Sequence, residues 1–80
     1  MALIFDQFPT LADAAKFATA VQEKGRDSAI YTNAAEAAEA DFYPFPLVAP
    51  VVLVERTEDY DDEGTLMNLV GTYGGVFAGT

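Results

Sequence analysis

The ten residues from Leu47 to Arg56 constrain this chain more than any other stretch. Leu47 to Val54 is apolar at every position and rich in β-branched side chains. A strand with one wet face alternates apolar and polar residues, whereas a continuous apolar run reads as a strand covered on both faces. Successive side chains alternate across a sheet. Ala49, Val51 and Leu53 therefore point one way, and Val48, Val52 and Val54 the other. Pro50 has no N–H to give a ladder, so the regular strand is predicted over 51–56, with an irregular approach at 48–50. Residues 2–8 repeat the theme as a first strand. Leu3 and Phe5 face one side, Ile4 and Phe8 face the other, and Pro9 ends it.

Helical signals lie between the apolar runs. Thr10 and Asp13 have the spacing of a capping box. Leu11, Ala14, Ala18 and Val21, with Phe17 beside them, form an apolar stripe, and Gly25 suits the helix stop. The predicted helix is 11–24. Residues 27–32 read as a short strand. Asn33 and Glu36 suggest a second cap and a short surface helix over 34–40. Thr57 and the acidic run after it precede a third helix, which begins between 58 and 63. Its stripe is Leu66, Leu69, Val70 and Tyr73. Gly74 and Gly75 stop it, and 75–79 is the last strand.

Two β-α-β units in this order are the pattern of the ferredoxin-like βαββαβ plait, an α+β fold. Right-handed crossovers put the first and third strands in the centre and the second and fourth at the edges. The two longer helices then cover one face of a four-stranded sheet. The opposite face holds apolar side chains of the first and third strands, and large exposed apolar areas mark contact sites. Three covers are open: a second copy, a partner protein, or the 33–47 segment folding back.

The segment 41–47 is distinct. Pro44 and Pro46 push the residues before them to extended backbone, and Phe42, Tyr43 and Phe45 crowd into four positions. It reads either as a plug closing one end of the core or as a docking loop. The nominated interface is Phe5, Phe8, Val52 and Val54 from the sheet and Phe42, Tyr43 and Phe45 from the loop.

Composition narrows the function. Eighty residues make one domain, spanning 1–80. Cysteine and histidine are both absent, which removes disulfides, the usual ligands of zinc, haem and iron–sulfur clusters, and the commonest catalytic base and nucleophile. The carboxylates sit in solvated runs where nothing raises a pKa. The reading is a non-enzyme with no catalytic residue, cofactor or metal. A net charge of −9 repels phosphate backbones, so no direct nucleic-acid binding is expected. No apolar run is long enough for a membrane helix, and the N-terminus lacks a signal peptide's charged region. A soluble protein of the cell interior or of a virion is expected.

Asp59, Asp61, Asp62 and Glu63 form an acidic surface row. Asp59, Asp61, Glu63 and Gly64 imitate the start of an EF-hand loop, but the twelfth position is Val70 rather than a bidentate Glu. Gly71 to Gly75 follows a helix instead of preceding one, so it is no phosphate cradle. A ligand-sensing plait would need a polar constellation that the sequence does not display. Two functions remain. One is a structural or assembly module working through apolar contact with a protein partner or a second copy. The other is an acidic inhibitor that mimics nucleic acid on a basic site of a host protein.

The stretches 11–18, 42–47, 50–54 and 73–80, taken together, resemble small proteins of unassigned function encoded by tailed bacteriophages. The resemblance spans most of the chain and carries no site residue. It implies a virion accessory such as a capsid decoration or cement subunit, or a small host-directed inhibitor.

Overall fold

A computed structural model of the chain describes residues 2–56 and 63–79, except for the side chain of Glu63. The elements are β1 (Ala2–Asp6), α1 (Leu11–Glu23), β2 (Ser28–Tyr31), α2 (Ala34–Ala40), β3 (Val51–Glu55), α3 (Glu63–Thr72) and β4 (Val76–Gly79). The fold is α+β: a four-stranded sheet in the order β2-β3-β1-β4, with every neighbouring pair antiparallel. The two most apolar strands are central and the two short ones are edges. In the central pair Leu3 lies opposite Val54, Ile4 opposite Leu53 and Phe5 opposite Val52.

The strands carry bulk on both faces, and each face has its own core. Leu3, Phe5, Val52 and Val54 pack against Ala14, Phe17, Ala18 and Val21 of α1 and Leu66 and Val70 of α3. Phe17 is the hinge of an aromatic cluster, with its ring centroid 4.9 Å from Phe5, 5.5 Å from Phe8 and 6.2 Å from Tyr73. The opposite face presents Ile4, Val51 and Leu53, and there Ala37 of α2 and Leu47 cover them. The free sheet face envisaged from the sequence is thus closed by the 33–47 segment. Glu36 and Glu39 of α2 face solvent while Ala37 is fully buried. A helix with only alanine inside can lie close on a sheet, so the low bulk that suggested a surface helix is what lets it serve as a cover.

Two further corrections follow from the backbone. Phe8 does not share a side with Ile4: it joins Leu3 and Phe5 in the helix-covered core. Gln7 has φ of 61°, so the strand ends at Asp6, before Pro9, and alternation does not carry through to Phe8. Leu11 opens α1 but stays half exposed, one turn ahead of the buried stripe.

Helix ends are built by rule. Thr10 Oγ1 accepts the Asp13 N–H at 3.1 Å and donates to the Asp13 carboxylate at 2.8 Å. Asn33 Oδ1 accepts from Ala35 and Glu36. Each cap satisfies N–H groups that have no partner within the helix. At the end of α3, Gly75 N–H reaches Val70 O at 3.1 Å and Gly74 N–H reaches Gly71 O at 3.2 Å, with Gly74 at φ of 78°. That is a Schellman motif. Gly75 is required for a different reason. A Cβ there would lie 2.6 Å from the Phe8 ring and 2.8 Å from Val70 Cγ2.

The Gly75→Ala variant is expected to lose about 1–3 kcal/mol of stability through overpacking. Gly64→Ala, where a Cβ meets nothing within 4 Å, is expected to gain about 0.5–1 kcal/mol from helix propensity. Urea denaturation of both variants against the parent checks the pair.

Candidate interaction surface

The surface of interest grows out of the end of α2. Helix α1 stops like α3: Arg26 N–H bonds Val21 O, Gly25 N–H bonds Gln22 O, and Gly25 takes φ of 82°. Helix α2 makes the same pair of bonds a third time, Tyr43 N–H to Ala38 O at 2.9 Å and Phe42 N–H to Glu39 O at 3.3 Å. The residue in the left-handed position is now Phe42, at φ of 52°. Glycine occupies that position freely, whereas a residue with a Cβ loses roughly 1–2 kcal/mol there. Phe42 recovers none of this by packing, because its side chain is 92% exposed.

The loop that follows is held firmly on its inner side. The Tyr43 hydroxyl donates to Ala78 O at 2.7 Å, which pins the loop to β4. The Asp6 carboxylate, itself buried, accepts the Val48 N–H at 3.0 Å, and Gln7 N–H donates to Val48 O at 2.9 Å. Both backbone groups of Val48 are thereby satisfied by the end of β1. Leu47 points inward to the sheet, and the Ala49–Pro50 peptide bond is cis. On the outer side Phe45 is 64% exposed, with its ring 5.7 Å from Tyr43, and Val48 is 57% exposed. An anchored loop thus presents three large apolar side chains to solvent.

Charge along this stretch of the sequence has one sign. No lysine or arginine occurs from Asp27 to Glu55, where the ionised residues are Asp27, Glu36, Glu39, Asp41 and Glu55. Lys16 lies on α1 and Lys24 caps it, and the two arginines flank this interval at 26 and 56. Arg26 is buried, with Nε and Nη2 both donating to Glu55 O. Asp41 accepts the Ala2 N–H through Oδ1. Asp41 also lines a groove of about 330 Å³ together with Ala2, Ala29, Tyr31 and Leu53 and the carboxylates of Asp27 and Glu55.

The nominated residues fall into three groups. Phe5, Phe8, Val52 and Val54 are core residues beneath α1 and α3 and present no surface. Phe42 and Phe45 are exposed, and Tyr43 is the half-buried anchor between them. Asp59, Asp61 and Asp62 lie outside the described residues, as does the side chain of Glu63. Val70, the residue that broke the EF-hand match, is buried in the core. Among the described residues no cluster of three or more acidic side chains could hold a metal ion, and no helix is long and apolar enough to cross a membrane. Asp6 and Val48 were not singled out from sequence, although the acidic residue closing an otherwise apolar strand was a visible anomaly.

Compared with known proteins, the chain matches no family model, no curated protein and no solved structure.

Asp6→Ala is expected to cost about 1–3 kcal/mol, since it removes the carboxylate that accepts the part-buried Val48 N–H. Phe42→Gly is expected to leave stability unchanged or raise it by up to about 1 kcal/mol, the relief of the left-handed backbone being offset by a floppier unfolded chain. Thermal unfolding followed by circular dichroism separates the two signs.

Proposed function

We propose that this protein is a non-enzymatic interaction module that docks through the aromatic-proline loop, with Phe42, Phe45 and Val48 as its contact residues. The observation that carries the reading is Phe42. Its neighbouring helices end on glycine at the equivalent position, and a phenylalanine there costs backbone energy without contributing to the core. Local strain retained without structural return is a pointer to function. Aromatic side chains on a fixed backbone are also the residues that dominate binding hot spots.

The strand order and antiparallel pairing are compatible with the ferredoxin-like plait, and we read the fold as a variant of it. In this variant α2 and the loop are inserted between the second and third strands and close the back of the sheet. The docking role moves accordingly from the sheet face to the loop. Taken with the resemblance to tailed-phage proteins, the larger assembly is a virion and the role that of a decoration or cement subunit. The competing reading, an acidic inhibitor imitating nucleic acid, draws on a row of carboxylates mostly outside the described residues, and the three exposed apolar side chains of the loop favour apolar docking over it.

The test is site-specific photocross-linking in the native preparation. With p-benzoylphenylalanine in place of Phe42, one dominant protein adduct is expected, lost when Phe45→Ser is added. The same probe in place of Thr19, exposed on α1, is expected to give no such adduct. Identical products from both positions would sink the docking loop.

A further inference from the structure

We infer that the partner presents an apolar protein surface bordered by lysine and arginine side chains. This rests on the docking-loop reading and adds the chemistry of what docks. The apolar half of the argument is the trio of exposed side chains at Phe42, Phe45 and Val48. Contact areas of this kind are matched by apolar surface on the other side.

The electrostatic half is the segregation of charge. Helix α2 carries exposed Glu36 and Glu39 and ends directly beneath Phe42. Its C-terminal carbonyls add partial negative charge in the same place. Asp41 adjoins Phe42 and shares the lining of a groove with apolar residues, among them Ala2, Ala29 and Leu53, and with Asp27 and Glu55. A mixed lining of this kind suits the methylene stem of a lysine or arginine together with its charged head. Every ionised side chain from Asp27 to Glu55 is an anion.

Other occupants fit less well. Nucleic acid and anionic lipid carry the same sign as this surface and are repelled by it. A second copy would bring another chain of net charge −9 into contact, which self-repulsion opposes. A basic, amphipathic protein surface satisfies both halves.

The experiment uses the full chain and three synthetic 16-residue amphipathic helical peptides, titrated by fluorescence anisotropy. The first has a leucine–tryptophan stripe between lysine rows, the second the same stripe between glutamate rows, and the third the lysine rows with serine in the stripe. Only the first is expected to bind. Its affinity should weaken roughly fivefold or more from 50 to 500 mM salt, as a few exposed ion pairs are screened. The Phe42→Ser, Phe45→Ser double variant should weaken it about tenfold or more. Glu36→Gln with Glu39→Gln, both exposed, should weaken it a few-fold at an unchanged melting temperature.

Equal binding of the lysine and glutamate peptides, abolished in the phenylalanine variant, would overturn the basic partner and leave the docking loop standing. Binding of the lysine peptide that is indifferent to the phenylalanines would overturn both. Absence of binding by every peptide at millimolar concentration would overturn the inferred partner chemistry. Anionic vesicles serve as the remaining arm, and binding to them by the parent chain would also count against it.

Discussion

The pairing of β1 with β3 is the constraint from which the rest of this molecule follows. Leu3, Phe5, Val52 and Val54 on one side and Ile4, Val51 and Leu53 on the other are all removed from water. An 80-residue chain has little interior to spend, yet a central pair apolar on both faces demands two covers. Helices α1 and α3 make the first, with Phe17, Val21, Leu66 and Val70 as its bulk. The second is thin, made of Ala37, Leu47 and half-buried neighbours including Tyr31 and Tyr43. A thin cover suffices because alanine lets a helix approach closely, and because the loop is tied down by polar contacts instead of bulk.

Those polar contacts decide what the loop can display. Its inner side is fixed at three points: the end of α2, the Tyr43 hydroxyl on Ala78, and the Asp6 clamp on Val48. With its backbone held there, the outer side chains contribute little to stability. Phe42 makes this plain, since the same helix-stopping geometry is achieved elsewhere in the chain with glycine. The fold and the proposed docking surface therefore share one segment but use opposite sides of it. Substitutions on the two sides are expected to separate stability from the proposed contact.

Much of the architecture was legible in the sequence, and the reasons are local. The helix stripes, the Thr10 and Asn33 caps, the glycine stops and the continuous apolar run each have a period or a punctuation mark. The back cover was harder to read. Alanine-rich α2 shows neither bulk nor a strong stripe, and whether such a helix lies on a sheet or in water depends on tertiary packing. The side of Phe8 was misread because one left-handed residue, Gln7, breaks the alternation, and glutamine carries no signal of that conformation. The assignment of Phe5, Val52 and Val54 to an open face failed for a related reason. Periodicity tells which residues share a face of β1 or β3, but not which face the long helices take.

The loop stands out by its composition, three aromatics among prolines, which suits either a plug or a docking element. The structure divides it by residue. Tyr43 plugs, with its ring and hydroxyl against β4, while Phe42 and Phe45 face out. The deciding physics is the helix stop. Once Tyr43 N–H bonds Ala38 O and Phe42 N–H bonds Glu39 O, the direction of each side chain is fixed by backbone geometry. The residue in the left-handed position is turned out while the next is turned in. A glycine at 42 would have made the stop conspicuous in the sequence and the surface bland. The phenylalanine that hid the stop is the same side chain that leaves an apolar ring exposed on this surface.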